Sequence, residues 1–281
     1  MEENKQLSIV EILVTAGEAI LKIYRSNNFD TKLKSDNTPV TLADKTSSAI
    51  INRGLKELFP EIPIIDEEHD IPKFEKRKSW DSYFLIDPLD GTKEFINKNG
   101  EFCINLALMQ NSKPVEGWIY QPLEKRGWYC KKGDGIFEFS ANGKLKKIDY
   151  SQSTSNTIRI VTSRSFFKPL EAQIIKEIEN YYSVEIIHRG SSLKQIDIIL
   201  GNADMYLKNG LCSEWDTAPG QLMVEEFGGT TLQQANFKTM VYNKPNMLNP
   251  HFVMLNKNLN TPKIRTFLMN TITEIVTPNS L

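Results

Sequence analysis

Two aspartates, Asp87 and Asp90, end an apolar run in the stretch Leu85-Ile86-Asp87-Pro88-Leu89-Asp90-Gly91-Thr92-Lys93-Glu94-Phe95. Carboxylates this close repel each other, and removing each from water costs roughly several kcal/mol unless cations or hydrogen-bond donors compensate. A hard divalent cation is the simplest compensation. Pro88 fixes its own φ and keeps the Ile86-Asp87 step extended, so the two carboxylates and the Leu89 carbonyl offer oxygen ligands from a stiff turn. An all-oxygen set favours magnesium over zinc. Gly91 and Thr92 then present backbone N–H groups at the start of a helix, where unpaired donors and the helix dipole attract anions. Metal ligands and an anion seat are adjacent. Taken alone, D-P-x-D-G would equally be a type I turn with an Asx cap.

Further acids fall at comparable places. Asp66-Glu67-Glu68 follows the apolar run Ile62 to Ile65, so these carboxylates could reach the same sheet edge; an exposed acidic loop is the alternative. Asp216, in Trp215-Asp216-Thr217-Ala218-Pro219-Gly220, lies at a helix start, where a capping role would also explain it. Asp44, in Thr38-Pro39-Val40-Thr41-Leu42-Ala43-Asp44, carries the weakest individual signal. His69, His188 and His251 have neither metal-type spacing nor a paired Ser or Cys, and receive no chemistry.

The elements that must position these groups can be read from periodicity. Leu7, Val10, Leu13, Val14, Gly17, Ile20, Leu21 and Tyr24 mark one face of a first helix. After the polar stretch Lys34 to Pro39, a second helix is predicted from about Leu42 to Leu58, its face formed by Leu42, Ala49, Ile50, Leu55 and Leu58. Strands are predicted at Ile62 to Ile65, Tyr83 to Ile86, Phe102 to Met109, Trp118 to Tyr120 and Trp128 to Cys130. Beyond a polar junction at Ser151 to Asn156, strand and helix patterns alternate through Ile158 to Thr162, Leu170 to Tyr181, Val184 to Ile187, Leu193 to Leu200, Met205 to Leu207 and Asp216 to Phe227. Only weak helical character marks the tail, around Lys263 to Ile275.

Two closely packed domains are therefore expected, 1–152 as α+β with most of the metal ligands and 153–281 as α/β, with the ligand cleft between them. The 281 residues, 40% hydrophobic and 25% charged, suffice for a sizeable core and leave little room for disorder. A net charge of -1 provides no global field for a nucleic-acid polymer, and the short clusters Lys76-Arg77-Lys78, Lys131-Lys132 and Lys146-Lys147 read as solvated surface. Cys103, Cys130 and Cys212 suggest neither a disulfide framework nor a thiolate zinc site. With no signal-type apolar stretch and no window approaching a membrane span, the expected address is the cytoplasm. Oligomeric state, monomer or homodimer, is left open.

Taken together, Glu67-Glu68, Asp87 to Phe95 and Trp215 to Gly220 resemble, in order and spacing, the hallmarks of the inositol monophosphatase superfamily: E-E after a strand, D-P-[IL]-D-G-T-x-x-F, and W-D-x-A-[AP]-G. Within it, the chain is most similar to the 3'(2'),5'-bisphosphate nucleotidase branch of the CysQ type. Asp36 to Thr41, Thr92 to Phe95, Asn99-Gly100-Glu101-Phe102, Gly190-Ser191-Ser192-Leu193-Lys194 and Leu248-Asn249-Pro250 carry that narrower likeness. It departs at Phe166, where relatives often place His after S-R-S, and at Lys208-Asn209, which replaces a more Arg-like stretch.

The resemblance implies a layered α/β fold, the αβαβα sandwich of the sugar phosphatases. It implies two or three Mg2+ ions held by Glu67, Asp87, the Leu89 carbonyl, Asp90 and Asp216, with water oriented and deprotonated by Glu67 and by Thr92, the latter polarised by Asp44. Substrate would be contacted by these groups, by the Gly91 and Thr92 amides, and by Ser192 and Lys194 facing the ribose or the retained phosphate. The implied activity is magnesium-dependent removal of the 3'-phosphate of adenosine 3',5'-bisphosphate to leave AMP, with the sulfated analogue as an alternative substrate, in sulfur metabolism and with lithium sensitivity. A peripheral position at the cytoplasmic face of the inner membrane is left open by the likeness. Rival readings are an inositol or sugar monophosphatase of the same superfamily, a catalytically silent metal- or nucleotide-binding module, and a paired-carboxylate glycosidase.

Overall fold

The computed structural model describes residues 2–26, 29–33, 39–149, 157–165 and 167–276. The polar stretch Lys34 to Thr38, including Asp36 to Thr38 of the branch likeness, the junction Ser151 to Asn156 and Phe166 lie outside the described residues.

Helices α1 (Glu2–Ser26) and α2 (Leu42–Leu58) flank a small antiparallel pair, β1 (Lys32–Leu33) with β2 (Pro39–Val40). A seven-stranded sheet follows in chain order: β3 (Ile64–Asp66), β4 (Ser82–Asp90), β5 (Cys103–Gln110), β6 (Lys113–Gln121), β7 (Arg126–Lys131), β8 (Gly135–Ser140) and β9 (Leu145–Ile148). Only β3 runs parallel to its neighbour; from β4 onward each strand is antiparallel to the last. Two short helices interrupt the meander, α3 (Phe74–Arg77) and α4 (Thr92–Ile96).

The second sheet comprises β10 (Thr157–Ser163), β11 (Ser183–Arg189), β12 (Met205–Lys208), β13 (Thr230–Gln233) and β14 (Phe252–Leu255), ordered β11-β10-β12-β14-β13. Its helices are α5 (Pro169–Glu179), α6 (Leu193–Ile199), α7 (Glu214–Glu226) and α8 (Pro262–Val276).

Three apolar cores show how the layers stack. Strand residues alternate between faces, so in β4 Phe84 and Ile86 join Leu13, Ile20 and Ile51 of α1 and α2, while Tyr83 and Leu85 point the other way. That second face meets Ile196 of α6 and Ala218 and Leu222 of α7, which also bury Val161, Tyr206 and Met254 of the second sheet. Ile160, Met205 and Val253 face outward onto Ile174 of α5 and Leu268 of α8. The order is helix, sheet, helix, sheet, helix, as expected.

The predicted face of α2 holds at Ile50, Leu55 and Leu58, which pack on the core, and fails at Leu42 and Ala49. Leu42 is 44% exposed and Ala49 is also exposed, whereas Ala43, Ser47, Ser48, Ile51 and Leu55 are buried. Hydrogen bonding overrides hydropathy here: the Ser47 hydroxyl donates to the Pro88 carbonyl (2.7 Å) and that of Ser48 to the Asp66 carboxylate (2.8 Å). Strands β8, β9, β13 and β14 were also passed over. The pattern of β9 is partly solvated, with Lys146 and Lys147 both exposed, and Thr230-Thr231 opens β13 with polar residues.

Helix α7 lies so close to β6 that a Cβ at Gly117 would sit 2.9 Å from the Pro219 Cα. Backbone rather than a flexible side chain opposes it, so Gly117→Ala is expected to destabilise the fold by about 1–3 kcal/mol. The melting temperature should fall by roughly 2–4 °C per kcal/mol, which a thermal denaturation scan reads; an unchanged value would mean that the two layers can separate without cost.

Candidate active site

Where β3 ends at Asp66, paired with Ile86, β4 runs on to Asp90. The Glu67 amide donates to the Ile86 carbonyl (3.2 Å), which sets Glu67 beside Asp87 at the open end of the sheet. On β4 the spacing of Asp87 and Asp90 would send their side chains to opposite faces of a regular strand. A bulge prevents this: Asp87 pairs with Asn105 and Asp90 with Cys103, so the three-step interval on β4 faces a two-step interval on β5. The extra residue restores a common face for both acids. Pro88 is tolerated there because a bulge does not need its missing N–H.

Each carboxylate is held by donors that leave oxygen surface over. Asp87 Oδ1 accepts from the Leu89 amide (3.0 Å). Asp90 Oδ2 accepts from the Ser192 amide (2.6 Å), the Ser192 hydroxyl (2.5 Å) and Asn105 Nδ2 (3.2 Å). Asp216 is the third residue of α7, and its Oδ2 accepts from the Ser213 amide (2.7 Å) in a capping box. The capping alternative is therefore realised, but it uses one oxygen. The Asp216 carbonyl accepts from Gln195 Nε2 (2.6 Å) and lies 2.8 Å from Ser192 Oγ as the alternative acceptor of its one proton, tying α7 to α6.

Glu67, Asp87 and Asp216 each bring a carboxylate oxygen within 4.8 Å of the others'. Asp87 is 2% exposed, and burial, with the charges of Glu67, Asp90 and Asp216 beside it, pushes its carboxyl well above the usual range. Burial, then Asp90 and Glu67, push Asp216 up to about 7. Carboxylates that oppose one another's ionisation either keep a proton or are relieved by a cation, and the closeness of these three oxygens suits a cation. The donors are all oxygen and suit a hard metal ion. Among the described residues the group that closes within 4.8 Å contains no histidine. His69 lies near Asp66 (3.5 Å), His188 near Thr162 (3.0 Å) and His251 near Asn209 (3.5 Å).

Beside the acids, Thr92 Oγ1 lies 3.1 Å from Asp44 Oδ1 and 3.3 Å from the Leu89 carbonyl, with either able to accept its proton. Asp44 also accepts from the Thr41 amide (2.7 Å) and hydroxyl (2.6 Å), closing the capping box of α2. Burial raises its pKa, against the pull of the Thr41 and Thr92 hydrogen bonds. Gly91 caps α4 at φ +93°, a conformation that favours glycine; a Cβ there would meet the Glu101 carbonyl at 2.9 Å.

Ser192 and Lys194, expected to face the ribose or the retained phosphate, both line the cavity wall and are also tied into the surrounding structure. The Ser192 hydroxyl is engaged by Asp90, Asn105 and the Asp216 carbonyl. Lys194 Nζ donates to the Ser191 carbonyl (2.5 Å) and, at 3.4 Å, to that of Arg189, above the Tyr206 ring. Burial lowers its pKa, opposed by the neighbouring Asp90. Sequence reasoning missed Asn105, Gln195 and Ser47, whose neutral side chains support the acids or their backbone. It also missed Lys168, which like Lys208 reaches toward Gly210: a Cβ at Gly210 would lie 3.6 Å from Lys208 Nζ and 3.7 Å from Lys168 Cε. Glu101 joins the two sheets, accepting from Arg164 Nε (2.7 Å) and from the Gly190 amide (2.7 Å).

A cavity of about 470 Å3 has the acid cluster, Gly91 and Thr92 in its wall together with Lys168, Lys194 and Lys208. No helix among the described residues is long and apolar enough to cross a membrane.

Comparison with known proteins gives consistent matches. Residues 3–265 match the model of the inositol monophosphatase family. The 3'(2'),5'-bisphosphate nucleotidase CysQ of Buchnera aphidicola is 39% identical over 222 residues, 79% of this chain and 81% of that protein. Its namesake from Aggregatibacter actinomycetemcomitans is 33% identical over 249 residues, 88% and 90% of the two chains. The crystal structure of CysQ from Bacteroides thetaiotaomicron, described as a bacterial member of the inositol monophosphatase family, superposes with a TM-score of 0.78 at 31% identity, covering 91% of this chain and 98% of that one.

Proposed function

The chain belongs to the inositol monophosphatase family, and from that premise we propose that it is a 3'(2'),5'-bisphosphate nucleotidase, a phosphatase that removes the 3'-phosphate of adenosine 3',5'-bisphosphate to give AMP and phosphate. The carrying observation is one cavity whose wall holds both the carboxylates and the lysines Lys168, Lys194 and Lys208. A substrate with one phosphate to lose and one to keep matches both. An inositol monophosphate offers nothing for the second set of charges.

Glu67, Asp87, the Leu89 carbonyl, Asp90 and Asp216 would hold magnesium, two or three ions. When bound, the metal supplies positive charge to the phosphoryl oxygens and lowers the pKa of the attacking water. Thr92 donates its hydroxyl hydrogen bond to Asp44, which leaves the Thr92 oxygen's lone pairs to accept a hydrogen bond from that water and aim it; Glu67 is the second acceptor and takes the water's proton. The amides of Gly91 and Thr92 hold phosphate oxygens. In the displacement the water oxygen bonds to phosphorus as its proton passes to Glu67, the phosphorus–ribose oxygen bond breaks, the 3' oxygen takes up a proton from solvent water, and Glu67 returns its proton to solvent. Lys168 and Lys208 attract the retained 5'-phosphate, while Lys194 holds the Ser191 turn and adds its charge beneath.

A phosphate-release screen tests this. With magnesium, kcat/KM for adenosine 3',5'-bisphosphate should exceed that for inositol 1-phosphate by on the order of 10²-fold, because an unfilled polar subsite is left unpaired by the smaller substrate. A preference for inositol phosphate would overturn the assignment, and nucleotide binding without phosphate release would mark a silent module.

A further inference from the structure

The cavity also has an apolar lip, built by a segment whose sequence stands out but which the hydrolytic machinery leaves unused. In Leu248-Asn249-Pro250, Leu248 forms a β-bridge with Ser213, immediately ahead of α7. The bridge is laced on both sides: the Glu214 amide donates to the Met247 carbonyl (3.0 Å) and the Asn249 amide to the Cys212 carbonyl (2.7 Å). Asn249 Nδ2 adds bonds to the Ser213 carbonyl (2.6 Å) and Thr217 Oγ1 (2.9 Å). Asn249 thus pins the 247–249 segment to the loop that delivers Asp216. The two strips meeting there each carry a leucine into the cavity wall, Leu211 and Leu248.

These leucines are 81% and 40% exposed. The aromatic rings in the same wall, Tyr206 and Trp215, are 4% and 7% exposed, so the cavity's accessible apolar faces are aliphatic. Two exposed leucines on one cavity wall beside a charged site offer apolar surface whose burial by a flat ligand would be favourable. Leu211 also follows Gly210, toward which Lys168 and Lys208 both reach, so the apolar lip adjoins these lysines.

We infer that Leu211 and Leu248 form an aliphatic clamp for the purine base of the substrate, and that Asn249 is the positioning residue that holds the clamp against α7. The inference rests on the nucleotidase reading above and extends it: the acids and lysines engage the two phosphates, and the base is selected by its apolar faces. Such a contact is made equally in the ground and transition states, so it acts on KM rather than kcat.

The test is the double variant Leu211→Ala/Leu248→Ala with magnesium present. KM for adenosine 3',5'-bisphosphate should rise by roughly 10- to 100-fold while kcat stays within about twofold. Competitive inhibition by AMP should weaken by the same factor and inhibition by ribose 5-phosphate, which lacks the base, should not change. Equal weakening of both inhibitors would show that the loop acts on the phosphate instead, and unchanged KM would remove the clamp; either result overturns the inference. Wild-type protein that fails to release phosphate from the bisphosphate would defeat the nucleotidase reading itself, whereas active wild type with an indifferent double variant defeats the clamp alone.

Discussion

Asp90→Asn is expected to lower phosphate release by roughly 10³-fold or more while leaving the melting temperature within about 4 °C of wild type, a cost of order 1 kcal/mol. The two halves of that expectation follow from the two oxygens of one side chain. Oδ2 is committed to the Ser192 amide, the Ser192 hydroxyl and Asn105, which join β4, β5 and the start of α6. An asparagine can turn its amide oxygen toward the same donors and keep that junction. Its –NH2 group then stands where the second carboxylate oxygen was, with neither the charge nor the lone pair that a hard cation requires. The change also removes one of the charges opposing ionisation of Asp87 and Asp216, so the residual acids lose some of their drive to hold metal. Steady-state phosphate release and a thermal melt on the same preparation check both halves. Near-wild-type turnover would remove Asp90 from the machinery; collapse of the fold would show that its role is structural.

The acids were legible in the sequence because their residue types contradict their surroundings: charges that end apolar strands, as Glu67 and Asp87 do, demand compensation wherever the chain takes them. What brings Asp90 onto the face of Asp87 was not legible. It depends on one additional residue in the pairing of β4 with β5, and pairing register is a property of two strands. The same limit explains α2. Its period was visible, but Ser47 and Ser48 turn inward because a carbonyl and a carboxylate await them there, and those acceptors arrive from residues 88 and 66. Asn105, fully buried and donating to Asp90 and Ser192, looks in the sequence like one polar residue in an apolar strand. Leu211 is invisible for the opposite reason: an exposed leucine is ordinary until a cavity is found beside it.

Removing the metal is expected to abolish turnover completely and reversibly, and the accompanying change in stability should depend on pH in a particular direction. In the metal-free protein the carboxyls of Asp87 and Asp216 are raised by burial and mutual repulsion, Asp216 to about 7, against about 3.9 in an unfolded chain. The folded state therefore keeps protons that the unfolded state releases. The stabilising contribution is whole below about pH 4 and is lost as pH rises toward 7, so the metal-free fold weakens over that window. Magnesium binds the ionised acids and offsets the repulsion, so it should stabilise more at pH 8 than at pH 5.5. At about 100 times its Kd a bound ion contributes about 2.7 kcal/mol, a rise of roughly 5–10 °C in melting temperature for a chain of this size. Other groups raised by burial, among them Asp44, Glu214 and Glu225, titrate with and without magnesium, and the difference between paired melts cancels them to the extent that metal leaves them alone. Paired melts with EDTA or excess magnesium at the two pH values, and phosphate release before and after magnesium is restored, make the measurement. Turnover that survives EDTA would separate the acid cluster from the chemistry, and a magnesium effect of equal size at both pH values would mean that the ion binds elsewhere than among these carboxylates.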